Sequence, residues 1–159
     1  MKEEFAGLSD ILESLLSRGE SISVAESLTG GGLAQAFTSL PGSSQIFKGS
    51  VTAYQSEIKS SLLKLPVELI SEFGVVSEEV AAAMAAGVKD LMGSTWAIST
   101  TGVAGPGPAD GVPAGTVWVA IDGPISQTLQ LELSGTREIV RNATIAGAIA
   151  AFARILKTL

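Results

Sequence analysis

The stretch Ser21-Ile22-Ser23-Val24-Ala25-Glu26-Ser27-Leu28-Thr29-Gly30-Gly31-Gly32 decides the fold. Residues 21–25 read as a short strand, after which the chain turns through 26–32 into a helix that must end before Pro41. A strand, a glycine loop and a helix N-terminus in that order begin an α/β unit, and the flanking chain supplies the rest. Upstream, Phe5, Leu8, Ile11, Leu12, Leu15 and Leu16 recur every three or four residues, which predicts an amphipathic helix ending near Arg18-Gly19. Downstream, 47–54 reads as a second strand, 55–65 as a helix, and Pro66 opens another short one. Ser77 is placed to cap the next helix, with Glu78 and Glu79 at its positive end and Val80, Met84, Val88 and Leu91 as its buried stripe. Residues 95–100 form a buried strand that runs into Thr101-Gly102-Val103-Ala104-Gly105-Pro106-Gly107-Pro108, too rich in glycine and proline for regular structure. A hairpin of 116–121 and 128–133 around Asp122-Gly123-Pro124 precedes a last helix over 137–156.

This order predicts an α/β fold: three layers, α/β/α, with a mixed, mainly parallel sheet and a C-terminal hairpin. No repeat, charge block or linker divides the 159 residues, so a single domain over 1–159 is expected. At 46% hydrophobic and 16% charged residues, the chain has the balance of a packed globule rather than a disordered tail. No apolar run approaches the roughly 18 to 20 residues that span a bilayer. Residues 1–10 include acidic residues where a secretion signal would be basic, so a cytoplasmic protein is expected.

The absences narrow the chemistry. With no cysteine and no histidine, the chain cannot build a disulfide, a thiolate metal site, a Ser-His-Asp triad or a Cys-His pair. Sixteen acidic residues against ten basic ones give a formal charge of −6, the wrong sign for nonspecific binding of nucleic acid or an anionic membrane. A small-molecule partner is expected instead. The loops after residues 25 and 100 leave strands in the same sense and can converge on one cleft. Neither is a Walker A loop or a Rossmann fingerprint, because no Gly-Lys-Ser/Thr follows and the glycine spacing is wrong.

Within that cleft, Ser27 precedes Thr29-Gly30-Gly31-Gly32, where backbone N–H groups near Gly30 and Gly31 could hold an oxyanion. This suits an acyl-transfer nucleophile, and equally a helix cap followed by turn glycines. Without histidine the natural base is a lysine whose pKa is lowered by burial or a nearby cation. Lys59, five residues after the only tyrosine, Tyr54, is the candidate; a solvated helix lysine beside a core ring is the alternative. Arg137 and Arg141 share a helical face, and either could fork onto a phosphate or simply form an exposed basic face.

Five segments in order carry a resemblance that covers nearly the whole chain. They are Ala25-Glu26-Ser27-Leu28-Thr29-Gly30-Gly31, Val51-Thr52-Ala53-Tyr54 with Lys59, Gly74-Val75-Val76-Ser77, Thr101-Gly102-Val103-Ala104-Gly105-Pro106 and Gly115-Thr116-Val117. Together they closely resemble the CinA C-terminal domain family, which includes bacterial nicotinamide mononucleotide deamidases. The resemblance implies hydrolysis of nicotinamide mononucleotide to nicotinate mononucleotide and ammonia, without metal or other cofactor, in pyridine nucleotide recycling. It implies Ser27 as nucleophile, Lys59 as its base and Tyr54 as a helper in proton transfer or positioning. Thr101 and Arg141 match residues implicated in the same site, and Thr29, Gly30, Gly31, Gly102, Ala104 and Gly105 are the remaining expected substrate contacts. Two departures stand out: Gly107-Pro108-Ala109-Asp110-Gly111 replaces a run often richer in glycine, and Leu28 stands where cysteine is frequent. A pyridine nucleotide is thus the expected partner, and small-residue helices make a homo-oligomer plausible. The competing expectation is a non-catalytic binding or assembly module associated with competence, since such domains also occur fused to another domain.

Overall fold

The computed structural model describes residues 5–159; residues 1–4, including the acidic Glu3 and Glu4 weighed against a secretion signal, lie outside the described residues. Among the described residues the elements run α1 (Leu8–Arg18), β1 (Ile22–Glu26), α2 (Gly32–Thr38), β2 (Phe47–Thr52), α3 (Ser56–Leu63), α4 (Val67–Phe73), α5 (Glu78–Met92), β3 (Trp96–Gly102), β4 (Thr116–Asp122), β5 (Gln127–Glu132) and α6 (Arg137–Lys157). A 3-10 turn, Ser43–Gln45, leads into β2. Most expected boundaries fall within two or three residues of these. The first helix begins at Leu8 rather than Phe5, because Gly7 takes a left-handed conformation in front of it. It ends on a left-handed Gly19 whose N–H returns to the Leu15 and Leu16 carbonyls.

The sheet order is β2-β1-β3-β4-β5. β1 pairs in parallel with β2 and β3, while β3 with β4 and β4 with β5 are antiparallel. Four of the five strands therefore point the same way, yet the ladders divide evenly, so the sheet is mainly parallel in direction and not in pairing. β1 and β3 are buried along almost their whole length, as central strands covered on both faces must be, whereas β2 alternates at the edge. Side-chain alternation along β1 divides the core. Ile22 and Val24 face a layer built from α1, α2 and α6, with Phe37, Ile149 and Phe152. Ala25 faces the opposite layer, where Leu63 of α3 packs with Val80, Met84 and Val88 of α5.

Ser77 caps α5 as expected, accepting the Val80 N–H at 3.3 Å. Leu91 departs from the expected buried stripe. It lies in the last turn of α5, past the buried run that ends at Val88, and is 53% exposed. Helical α6 also corrects the reading that nothing in the chain approaches membrane-spanning length: its 21 residues are long and apolar enough by composition. Here Val140, Ile145, Ala148, Ile149 and Phe152 are buried in the core, which is what makes the helix so apolar.

Candidate active site

Because β1 lies between β2 and β3, the chain passes from β1 to one neighbour and then crosses over to the other, and the carboxyl ends of three parallel strands open onto one place. That is the topological switch point, where open α/β sheets bind their ligands. Ser27 follows the last residue of β1, Ala53 and Tyr54 follow β2, and Val103 to Pro106 follow β3. Two side chains lock the first of these loops to β3: the hydroxyl oxygens of Thr29 and Thr100 are 2.8 Å apart in a fully buried pair.

The centre of the site is a serine and a lysine. Lys59 projects from the first turn of α3 and is fully buried, although its type is among those most rarely found inside. Its Nζ lies 3.1 Å from Ser27 Oγ, 2.7 Å from the Ala53 carbonyl and 3.3 Å from the Tyr54 carbonyl. Three acceptors satisfy an ammonium. If the amine is neutral, its two N–H bonds serve the two carbonyls and its lone pair is left for the serine hydroxyl. Burial lowers its pKa from 10.5 to about 8, and this desolvation is the whole cause, with no neighbouring cation needed. Ser27 is itself buried, with 7% exposure.

The glycine loop is organised differently from the sequence expectation. The Gly30 N–H closes a turn on the Ser27 carbonyl at 3.0 Å and the Gly32 N–H one on the Thr29 carbonyl at 2.9 Å. Gly30 is therefore not available to an oxyanion in this arrangement, which leaves Gly31 as the loop glycine whose N–H these turns do not use. Gly30 and Gly31 both have positive φ, 60° and 102°, which accounts for glycine at both positions. The two helix N–H groups that follow, those of Leu33 and Ala34, are taken by the Glu26 carboxylate at 2.7 and 3.0 Å.

Both arginines come from the first two turns of α6, and each spends hydrogen bonds on loop carbonyls. Arg141 donates from Nε to the Leu28 carbonyl at 3.0 Å and from Nη2 to the Thr29 carbonyl at 3.3 Å, so it grips the serine loop from behind. Arg137 donates to the Gly105 carbonyl at 2.7 Å and to the Tyr54 hydroxyl at 2.9 Å, strapping the second and third loops together. Tyr54 is thus half exposed with its hydroxyl on Arg137, while its carbonyl is what touches Lys59.

Two openings lie beside the tyrosine and the arginines, and Ser27 and Lys59 line neither of them. One, of about 320 Å³, is lined by Tyr54, Gly102, Ala104, Gly105, Pro106 and Arg137, and so brings together three of the expected substrate contacts with the tyrosine. The other, of about 500 Å³, lies between α2 and α6 and holds Thr29, Gln35, Arg137, Arg141 and Asn142. Thr101 lines neither. Its buried hydroxyl donates to the Val75 carbonyl at 2.9 Å, and it ties the segment before α5 to β3 instead of facing a ligand. Gly102 also has a packing duty, since a Cβ there would stand 2.8 Å from the Thr116 carbonyl on the paired strand. Glu26 is the residue that sequence reasoning left out; its partners are seven and eight positions away, across a loop, so no helical or strand periodicity marks it.

The chain as a whole is similar to known proteins. The chain is similar over 124 residues, at 48% identity, to a CinA-like protein of Prochlorococcus marinus subsp. pastoris, covering 77% of this chain and 29% of the relative. It is 39% identical to a CinA-like protein of Frankia casuarinae over 158 residues, 96% of this chain and 36% of that one. It spans about a third of the length of such curated relatives. Among solved structures, competence damage-inducible protein A from Klebsiella pneumoniae superposes with a TM-score of 0.91 at 32% identity, over 94% of each chain. The competence/damage-inducible protein of Agrobacterium tumefaciens does so with 0.89 at 28%, over 94% of this chain and 93% of that one. The family model for the CinA C-terminal domain matches residues 6–156, which include each loop that meets at the buried serine and lysine, and the chain belongs to that family.

Proposed function

We propose that the protein is an amidohydrolase that converts nicotinamide mononucleotide to nicotinate mononucleotide and ammonia, acting on a small pyridine nucleotide in the cytoplasm, as a homo-oligomer, with no cofactor. The observation that carries the reading is the 3.1 Å approach of the buried Lys59 amine to Ser27 Oγ. A desolvated amine with a pKa of about 8 is partly neutral at physiological pH, and a neutral amine beside a hydroxyl is the arrangement for nucleophilic catalysis without histidine.

In this mechanism Ser27 Oγ attacks the carboxamide carbon as its proton passes to Lys59. The Gly31 N–H polarises the amide oxygen as it becomes an oxyanion. Collapse of the tetrahedral adduct breaks the carbon–nitrogen bond, and the Lys59 ammonium returns its proton to the departing nitrogen, releasing ammonia. Water, deprotonated by the same amine, then attacks the acyl-serine carbonyl; the carboxylate leaves and the proton goes back to Ser27. Tyr54, held by Arg137, forms one wall of the 320 Å³ opening in which the pyridine ring would lie. The guanidiniums of Arg137 and Arg141, both on the larger opening, supply the positive charge that a nucleotide phosphate needs.

The test is ammonia release from nicotinamide mononucleotide by the purified chain. Ser27→Ala and Lys59→Met should each lower turnover by about a thousandfold or more. The rate should rise with pH, because the active base is the deprotonated amine, and level off above an apparent pKa near 8. A rate independent of pH across that range would remove Lys59 from the role. A second reading has its own support: the chain spans only about a third of its CinA-like relatives, which fits a binding or assembly module within a larger protein. Folded wild-type protein that releases no ammonia would favour it.

A further inference from the structure

Among the described residues Glu26 is the only fully buried carboxylate, and the chemistry proposed above makes no use of it. It is the last residue of β1, and strand alternation turns its side chain toward the layer of α2 and α6, while Ser27 turns toward Lys59. Each carboxylate oxygen accepts one N–H from the first turn of α2, Oε1 from Leu33 and Oε2 from Ala34. The loop between, residues 27–32, is therefore closed into a ring whose start and finish are joined by two charge-assisted hydrogen bonds. Arg141 holds the outside of the same ring through the Leu28 and Thr29 carbonyls. The main chain of Glu26 serves the other half of the site: its carbonyl accepts the Ala53 N–H at 2.8 Å, and the Ala53 carbonyl in turn accepts from Lys59.

We propose that Glu26 is the positioning residue of the serine, its carboxylate clasping the loop so that Ser27 Oγ is held on the Lys59 amine. The proposal rests on the Ser27–Lys59 reading and adds a residue to it. The geometry makes a specific demand. Both carboxylate oxygens accept, so the isosteric glutamine can satisfy one N–H and must turn its own NH2 group against the other. Glu26→Gln leaves the main-chain carbonyl, and with it the seat of Lys59, in place. Loss of the clasp should thus blunt the nucleophile without changing the titration of its base.

The experiment measures the rate at which a fluorophosphonate ester modifies Ser27, followed by intact mass across the pH range around the Lys59 midpoint, with thermal unfolding of each variant recorded alongside. This readout needs no knowledge of the substrate. In the wild type one adduct should form on Ser27, faster as Lys59 deprotonates. Glu26→Gln should form it about 10- to 100-fold more slowly, with an unchanged pH midpoint, and Glu26→Asp, which keeps the charge but shortens the reach, should fall between. Modification of Glu26→Gln at the wild-type rate overturns the proposal. So does a loss of rate accompanied by a midpoint climbing toward that of ordinary lysine, because that marks general loosening of the site. If the glutamine variant does not fold, Glu26→Asp decides alone, and a wild-type rate there overturns the proposal. A wild type that is never modified overturns the nucleophile reading itself and the inference with it, whereas a labelled wild type beside an equally labelled variant overturns only the inference.

Discussion

At the scale of single residues, Lys59 links stability to pH as well as chemistry. Its pKa is about 8 in the folded protein and 10.5 when exposed in the unfolded chain. Below pH 8 both states hold the proton. Between the two values the unfolded chain holds more protons than the folded one, so stability from this residue rises with pH across that window. The gap corresponds to about 3 kcal/mol at its full extent. Urea unfolding of the wild type and of Lys59→Met should therefore diverge in favour of the wild type as pH rises from about 8 toward 10.5, by up to about that amount; parallel curves would contradict the burial argument. Ser27 and Lys59 were legible in the sequence because removing histidine and cysteine left few other groups able to do acyl chemistry, and because an ordered set of segments supplied the resemblance. Glu26, Arg137 and Arg141 were harder. What each touches is fixed by backbone carbonyls and N–H groups brought close by the fold, and side-chain identity alone does not say whether an arginine will meet a phosphate or a loop carbonyl.

At the scale of elements, α3 owes its position to a glycine in its neighbour. Gly87 lies within α5, where the Leu63 carbonyl at the end of α3 comes so close that a Cβ would stand 2.3 Å from its oxygen. The obstacle is backbone, which cannot swing aside as a side chain can. Gly87→Ala sets a gain of up to about 1 kcal/mol in helix propensity against an overpacking cost of about 1 to 3 kcal/mol. The net expectation is a loss of about 1 kcal/mol in urea unfolding, together with reduced turnover, since pushing α3 outward carries Lys59 away from Ser27. Wild-type stability and turnover would show that α3 can yield at no cost. Sequence periodicity located both helices and the Ser77 cap, but not this contact. The same limit explains Leu91: in the last turn of α5 it is Met92 that packs against the core, and Leu91 beside it is left 53% exposed.

At the scale of the whole molecule, strand order is what brings three loops to one place, and it was the least legible feature. Alternating helices and strands fix the fold class, yet nothing in the segments 21–25, 47–54 and 95–100 says that the first lies between the other two. That choice goes with burial: β1 and β3, buried on both faces, take the centre, and β2 with its alternating exposure takes the edge. The layer of α1, α2 and α6 then covers one side, and α6 alone delivers Arg137 and Arg141 to the site. Its anchor is Phe152, fully buried and set edge-on against Trp96 with ring centroids 5.2 Å apart. Truncating such a ring removes its transfer free energy and leaves a cavity, a cost of about 3 to 5 kcal/mol. In a domain of this size that should lower the unfolding midpoint by about 10 °C. Because α6 is packed into the same core as the sheet, Phe152→Ala should unfold in one transition, with far-UV circular dichroism and tryptophan fluorescence changing together. Turnover well below that midpoint should persist, for the serine loop is still clasped by Glu26 and gripped by Arg141 until the whole core gives way. Two separated transitions, with activity lost in the first, would mean instead that α6 docks independently and that the site depends on a part of the molecule looser than its core.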